Sequence, residues 1–503
     1  MKYLYLLAVF SLLHGPLMAQ DAATEERLKK LEKMLMNMQQ EMKAKDKKID
    51  ELEKKVDTLK GKKSSQLSDK DLLDKLIDEN HRDSVEFNKH DKGHGHGHSH
   101  DHRALRLGNT VDSVLENLDI SVVANMVVGS SNLRNSDLEE YQGGGHDPKK
   151  RGFNFQQMEL VLSGTVDDLF DYQGHILFLE DDVELEEAFV KTRSLPYNLQ
   201  LKAGIILTEF GLINTQHLHS WDFIDQPIIN TRLFGGDGMR GAGVNLSWLA
   251  PVPWYSEVIL GVQNSDGDNM ISFRGEGHAH GGEEGHEDES FEEAIGGAPY
   301  NEIEDTRNSE DMVYLARWVN TFDVAQDTTL QFGISSLWGD NHTGGNTWIY
   351  GADMKLVVDN DPALNRPNWV WQTEIMKREY DVTSAVIDGG DDPDFTRASD
   401  ELEDWGLYTQ LTKAINKKWT AGIRFEYVTG SGDSYEHDER VNRQDDFGRS
   451  DRIRISPLLI YQHSEFTKFR LQYNYDDSDT GDEGSTIWFG VEVLLGKHPA
   501  HKF

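Results

Sequence analysis

Hydrophobic and polar residues alternate one by one along most of the chain beyond residue 117. In the clearest stretch one parity is apolar or aromatic and the other is polar: Phe469, Leu471, Tyr473 and Tyr475 against Lys468, Arg470, Gln472 and Asn474. A repeat of two residues is the pattern of a β-strand with one apolar face. The same alternation recurs at 419–427 and 487–495, so the sequence predicts an all-β region.

The alternation predicts roughly sixteen strands, with fourteen and eighteen as alternatives. They are 118–129, 153–165, 170–180, 183–194, 198–207, 239–249, 254–264, 311–321, 328–338, 346–357, 368–382, 402–414, 418–429, 451–463, 465–475 and 485–496. A soluble β-sandwich would also alternate. Many strands with long loops and aromatic-rich apolar faces, in a chain whose first 19 residues predict export, favour a transmembrane antiparallel β-barrel. We expect this outer-membrane barrel to span residues 117–503.

The connections between the predicted strands alternate in length. Long ones fall at 130–152, 208–238, 265–310, 383–401 and 430–450, and short ones fall at 166–169, 195–197, 250–253, 415–417 and 464. Outer-membrane barrels have long external loops and short periplasmic turns, so the long links are predicted to be external. Two links fit this rule poorly: 181–182 is short for a loop and 358–367 is long for a turn.

The start of the chain predicts export. Lys2 precedes an apolar run from Tyr3 to Leu13, and a cleavage site is expected after Ala19, which together make a secretory signal at 1–19. No later stretch reaches the roughly 18 to 20 apolar residues of a spanning helix, so the outer membrane of a Gram-negative-type bacterium is the expected location. The chain has no cysteine, which excludes a lipoprotein anchor, disulfides and thiolate metal sites.

Residues 20–60 are predicted to form an α-helical coiled coil in the periplasm. Between Leu28 and Leu59 the heptad positions are apolar except Lys45. A solvated single helix is the alternative. The heptads predict a homo-oligomer. Some residues at the a positions favour a dimer and others do not. By analogy with porins we expect a trimer.

Residues 61–116 form a polar linker that ends in a histidine-rich tract, in which the candidate metal ligands are His94, His96, His98, His100 and His102. Imidazoles on a flexible backbone can converge on Zn, Cu or Ni. The alternative is a hydrophilic spacer.

The link from Ser265 to Glu310 is rich in carboxylates and contains three further histidines, His278, His280 and His286. Imidazole and carboxylate together suit zinc, and the net charge of −37 would attract cations and argues against nucleic-acid binding. A solvated acidic loop is the alternative.

Several charged residues near the C-terminus lie on the polar parity of their strands and are predicted to line the pore: Arg424, Glu426, Arg452, Arg454, Lys468 and Arg470. Such a ladder could guide anions. Alternatively the basic residues are ordinary wall residues paired with acids such as Glu426 and Glu492, so the charge of the solute stays open.

The segments LKAGIILTEFGLINTQHLHSWDFIDQP at 201–227 and LLGKHPAHKF at 494–503 resemble a family of bacterial outer-membrane proteins often described as zinc-regulated or TonB-dependent receptors. The matching positions are Gly204, Phe210, Gly211, Asn214, His217, His219, Trp221, Asp222, Phe223, Asp225 and Pro227, then His498, His501, Lys502 and Phe503. The resemblance implies a histidine-rich stretch before a barrel and a histidine-bearing loop. His217 and His219 either contact metal or fold the loop inward, and Phe503 resembles the signal read by barrel-assembly machinery.

These features predict a porin-like channel for small solutes, with divalent metal, zinc above all, as a candidate solute. The alternatives are a closed metal-binding or tethering barrel and a TonB-dependent type of receptor without a recognisable plug. No motif indicates an enzyme. No cofactor is required, and zinc bound by the histidine-rich segments is the one candidate.

Overall fold

The computed structural model describes residues 118–275 and 308–496, apart from 365, 388–394, 437–438, 442 and 444–445. The predicted signal, the coiled coil, the histidine-rich linker, His278, His280, His286 and Phe503 lie outside the described residues. Within the described part, sixteen strands form a closed antiparallel barrel, which confirms the predicted fold class.

The barrel strands follow chain order. They are β1 Leu118–Ser131, β2 Gly152–Val166, β3 Phe170–Phe178, β4 Val183–Thr192, β5 Leu199–Leu207, β6 Arg240–Leu249, β7 Tyr255–Asn264, β8 Met312–Ala325, β9 Thr328–Asp340, β10 Asn346–Val358, β11 Trp369–Val382, β14 Asp400–Ala414, β15 Trp419–Ser431, β18 Arg452–Ser464, β19 Thr467–Ser478 and β20 Gly484–Gly496. Pairing of β20 with β1 closes the barrel. The predicted bounds agree closely, with the largest difference at β8, which continues past the predicted end at 321.

Two of the long connections contain short hairpins that the sequence did not predict. Ala385–Ile387 (β12) pairs with Phe395–Arg397 (β13), and Ser434–Glu436 (β16) pairs with Glu439–Val441 (β17). Both lie at the end of the barrel that carries the long connections, here called the loop end. The opposite end, called the turn end, carries the short links at 167–169, 326–327 and 465–466.

Most apolar side chains of the strands face outward. On β19, Leu471 and Tyr473 are 43% and 39% exposed, whereas the intervening Gln472 and the following Asn474 are fully buried inside the barrel. Ile423 and Leu260 are also more than half exposed on the outer surface. A polar interior with an apolar outer surface is the arrangement of a membrane barrel, because lipid rather than water surrounds the wall.

Residues 208–239, here called the inner segment, connect β5 to β6 and fold into the barrel. The backbone N–H of Ile213 donates to Glu374 on β11 at 2.9 Å, and that of Ile228 donates to Glu426 on β15 at 2.7 Å. The segment therefore crosses the lumen to strands far from its own ends.

The inner segment contains the helix α2, Ile228–Phe234, and α1, Asn135–Tyr141, lies in the link between β1 and β2. Ile229, Leu233 and Phe234 of α2 are buried in an apolar core. Wall residues from several strands complete this core: Leu315, Leu337, Ile349, Met376, Tyr408 and Val428. None of the helices in the described ranges is long and apolar enough to cross a membrane.

Candidate metal centre inside the barrel

A β-bulge on β4 turns two consecutive glutamates into the lumen. His175 pairs with Glu187 and the next residue, Ile176, pairs with Leu185, so Glu186 is the extra residue of the bulge. Glu186 and Glu187 are both buried. A regular strand would send neighbouring side chains to opposite faces, and the bulge removes this restriction.

These glutamates belong to a compact group, here called the histidine–glutamate cluster. Its members come from three adjacent strands and the inner segment: Glu159 on β2, His175 on β3, Glu186 and Glu187 on β4, and His217 and His219. All six side chains are buried. The cluster therefore exists only when the inner segment is folded into the barrel.

Each imidazole contacts at least one carboxylate. His217 lies between two of them, with Nδ1 2.6 Å from Oε2 of Glu186 and Nε2 3.1 Å from Oε2 of Glu187.

Glu159 joins the other two imidazoles. Its Oε1 lies 2.5 Å from Nδ1 of His175, and its Oε2 lies 2.6 Å from Nδ1 of His219. The far side of the His175 ring is also contacted, because its Nε2 lies 2.6 Å from Nε2 of Gln173. Glu159 is thus the bridge between a strand histidine and an inner-segment histidine.

The three imidazole rings are nearly parallel. The rings of His175 and His217 stack with centroids 3.7 Å apart at 11°, and those of His217 and His219 are 5.9 Å apart at 3°. The stacking brings a strand histidine and an inner-segment histidine to the same carboxylate, since Oε1 of Glu159 lies 2.5 Å from Nδ1 of His175 and 3.8 Å from Nδ1 of His217.

Burial by itself would lower the pKa of His217, but the carboxylates of Glu186, Glu187 and Glu159 outweigh that effect and hold the pKa well above its ordinary value. The cluster thus favours positive charge at this position. Part of its negative charge is already balanced by Lys202, whose Nζ lies 3.2 Å from Oε1 of Glu187.

The spacing of the cluster suits a metal ion. One ligand atom each from Glu159, His175, Glu186 and His217 lie within 4.8 Å of one another. Zinc takes nitrogen and oxygen ligands at about 2.0–2.2 Å, which places tetrahedral ligands roughly 3.3–3.6 Å apart. The cluster therefore brings the ligand types that zinc uses together in one buried group.

A cavity of about 670 Å³ connects the cluster with the turn end of the barrel. Its lining includes His175, Glu187 and His217 at the cluster and Gln372 and Gln410 nearer the turns. A second cavity of about 330 Å³ begins at His219 and Asp222 and extends to residues 465–467 of a short turn. The cluster thus borders space large enough for hydrated ions.

The opposite face of the inner segment is fixed by charged residues of the wall. Asp225 forms an ion pair with Arg424 and lies 3.4 Å from Arg454, and it accepts hydrogen bonds from Gln472 at 2.7 Å and Asn474 at 2.5 Å. Burial would raise the pKa of Asp225, but the two arginines hold it below its ordinary value.

The residues predicted to line the pore face the interior and are largely buried. Arg424 pairs with Glu426 at 2.7 Å, and Lys468 and Arg470 each lie 3.0 Å from Glu492, the acids named in the alternative interpretation. Arg470 also donates to the carbonyl of Phe223 at 3.2 Å. Arg452 and Arg454 both donate to the carbonyl of Tyr141. Lining of a conducting pore stays a prediction for this set.

The sequence singled out His217 and His219, and the structure places both on an inward-folded loop beside carboxylates. It did not single out His175, Glu159, Glu186 or Glu187. Alternation places Glu159 and His175 on the polar parity of their strands, and this signal identifies them as interior residues. Their meeting with residues 217–219 depends on the fold of the inner segment, which periodicity does not predict.

The fold and outer surface define a sixteen-stranded β-barrel of the outer-membrane type. No family model matches the chain. An uncharacterized protein of Aquifex aeolicus (strain VF5) is 30% identical over 417 residues, which cover 76% of this chain and 80% of that protein. The chain belongs to the same family as this protein.

Solved structures of porins and channels are similar to the barrel. The outer membrane channel DcaP of Acinetobacter baumannii has 9% sequence identity and a TM-score of 0.46, covering 75% of this chain and 97% of that one. An anion-selective porin from Comamonas acidovorans has 9% identity and a TM-score of 0.45, covering 75% and 99%. The description as a zinc-regulated or TonB-dependent receptor stays a prediction.

Proposed function

We propose that this protein is a porin-type channel of the outer membrane that binds and passes a divalent metal ion, zinc first, through a lumen narrowed by the inner segment. The observation that carries the proposal is the buried histidine–glutamate cluster between the inner segment and β2, β3 and β4. No enzymatic step is part of this function.

The ligand set favours a borderline divalent ion. Three imidazoles and three carboxylates within one buried group suit zinc better than calcium or magnesium, which prefer oxygen ligands alone. The excess of acidic residues in the chain would raise the concentration of cations near the barrel.

The ion pairs of the barrel wall give less support to an anionic solute. Arg424 and Arg454 are neutralised by Asp225, and Arg454 also lies 2.6 Å from Asp476. Lys468 and Arg470 share Glu492. Guanidinium groups that are already paired contribute little attraction for a passing anion.

Three further parts of the proposed function are supported by the sequence alone, because they lie outside the described residues. The coiled coil at 20–60 would lie on the periplasmic side and join the barrels into a homo-oligomer. We prefer a trimer. His94 to His102 and His278 to His286 would capture zinc on either side of the membrane. Phe503 would be read by the barrel-assembly machinery.

A zinc flux assay tests the proposed function. The refolded full-length protein is placed in liposomes that contain a fluorescent zinc indicator, and zinc is added outside. We expect rapid zinc entry that falls strongly in His217→Gln and is unchanged in the matched control His463→Gln, whose imidazole is exposed on β18. Equal entry in all three proteins would contradict a role for the cluster in transport.

The apolar core around α2 favours a second function, a closed metal-binding barrel. Phe210, Leu233 and Phe234 are fully buried where the inner segment crosses the lumen, so this part of the interior holds side chains rather than water. Tight zinc binding without flux through a correctly folded barrel would support the closed form.

A further inference from the structure

We propose that His146, Glu184 and Asp237 form a second divalent-cation site, the loop-end site, which hands ions to or from the histidine–glutamate cluster. This inference rests on the proposed function, since it describes how the same ion reaches or leaves the cluster.

Three separate parts of the chain meet at this site. His146 lies in the link between β1 and β2, Glu184 lies on β4, and Asp237 lies near the end of the inner segment. Nε2 of His146 is 3.6 Å from Oδ1 of Asp237. Each of the three residues offers one ligand atom, and these three atoms lie within 4.8 Å of one another. Imidazole with two carboxylates is a ligand set that suits the same ions as the cluster.

The three side chains are held close by their surroundings. The side chains of His146 and Asp237 are buried, and a Cβ placed on Gly145 would clash with Oδ1 of Asp237, so the link can approach only because it has a glycine there. Arg240 pairs with Oε1 of Glu184. Oε2 of Glu184 is buried and has no hydrogen-bond partner among the described residues.

A small cavity joins the loop-end site to the cluster. Its volume is about 20 Å³, and its lining includes His146, Asp237 and Glu186. A space of this size holds one water molecule or one ion. Glu186 is a member of the cluster and lies two positions after Glu184 on β4, so ligands of both sites border the same space.

Two sites in series explain how a buried cluster could still release its ion. A single site that binds strongly would hold the ion and block the path, whereas an ion arriving at a neighbouring site repels the first and promotes its departure. The loop-end site occupies the position where such an ion would enter from, or leave to, the loop end.

Anomalous diffraction tests the inference. Crystals of the full-length protein are soaked in zinc, and data are collected on both sides of the zinc absorption edge. We expect one anomalous peak among Glu159, His175, Glu186 and His217 and a second among His146, Glu184 and Asp237. In His146→Gln the second peak should disappear while the first remains, and His463→Gln should retain both.

The variants also separate this inference from the proposed function. In the liposome assay we expect zinc entry through His146→Gln to fall by about threefold or more, as for loss of one of two sites in series, with potassium entry unchanged. A peak at the cluster without one at His146 in the native protein would overturn the loop-end site and leave the proposed function intact. Both peaks without zinc flux would support the site and overturn transport.

Discussion

The two faces of the inner segment differ in chemistry and in what they contact. The face that carries α2 and Asp225 packs against β14, β15 and the wall beyond, through apolar contacts and buried ion pairs. The face that carries His217 and His219 meets the polar wall of β2, β3 and β4 and lines a cavity of about 670 Å³, to which Asp225 also contributes. One face therefore fixes the segment in the lumen, and the other presents possible metal ligands to the cavity.

This difference predicts that variants of the fixing face change stability, whereas variants of the ligand face change metal binding.

Asp225→Asn should cost about 3–5 kcal/mol of unfolding free energy, because it removes the buried carboxylate charge that lies between the guanidinium groups of Arg424 and Arg454. Urea unfolding in detergent, followed by tryptophan fluorescence, measures the loss. The matched control is Asp477→Asn on the outer face of β19, where the residue is exposed. A loss of equal size in both variants would show that Asp225 has no special role.

Leu233→Ala should cost about 2–4 kcal/mol, because it leaves a cavity in the core around α2. Leu260→Ala, on the lipid-facing surface, removes the same atoms without creating an internal cavity. The same unfolding experiment compares the two. The distinction between a stabilising face and a ligand face fails in either of two cases. In the first, Leu260→Ala lowers the free energy of unfolding as much as Leu233→Ala does, and in the second, Leu233→Ala alters zinc affinity as strongly as His217→Gln does.

His217→Gln should weaken zinc binding by at least about 10–100-fold while changing unfolding much less than Asp225→Asn does. Competition against a chromophoric chelator measures the affinity. Because zinc also binds other histidine-rich segments in the full chain, the comparison is made with His463→Gln in the same chain. Unchanged affinity in His217→Gln would remove the cluster from metal binding.

The pH dependence of stability should reverse when zinc is added. Since the pKa of His217 is raised in the folded protein, its contribution to stability without metal is fully present below about pH 6.5 and is lost as pH rises through the raised value. Zinc must displace that proton, so zinc-bound protein should gain stability over the same rise in pH. Thermal unfolding at several pH values, with and without zinc, measures both slopes; parallel slopes would contradict competition between proton and metal.

The strands could be predicted closely because each repeats one apolar and one polar face, and a barrel wall between lipid and a polar interior enforces that period. The candidate site was only partly predictable. Glu186 breaks the period through a bulge, so alternation would wrongly place it and Glu187 on opposite faces. The contact of His217 with β4 joins residues 31 positions apart through a folded loop, and local patterns do not encode such contacts.

Single-channel recording in planar bilayers tests zinc conduction directly, using the refolded full-length protein with unequal zinc concentrations across the membrane. We expect stable current steps whose reversal potential follows the zinc gradient, and loss of that zinc selectivity in His217→Gln but not in His463→Gln. Steps that ignore the zinc gradient, or no steps from a correctly folded barrel, would contradict a metal-conducting channel.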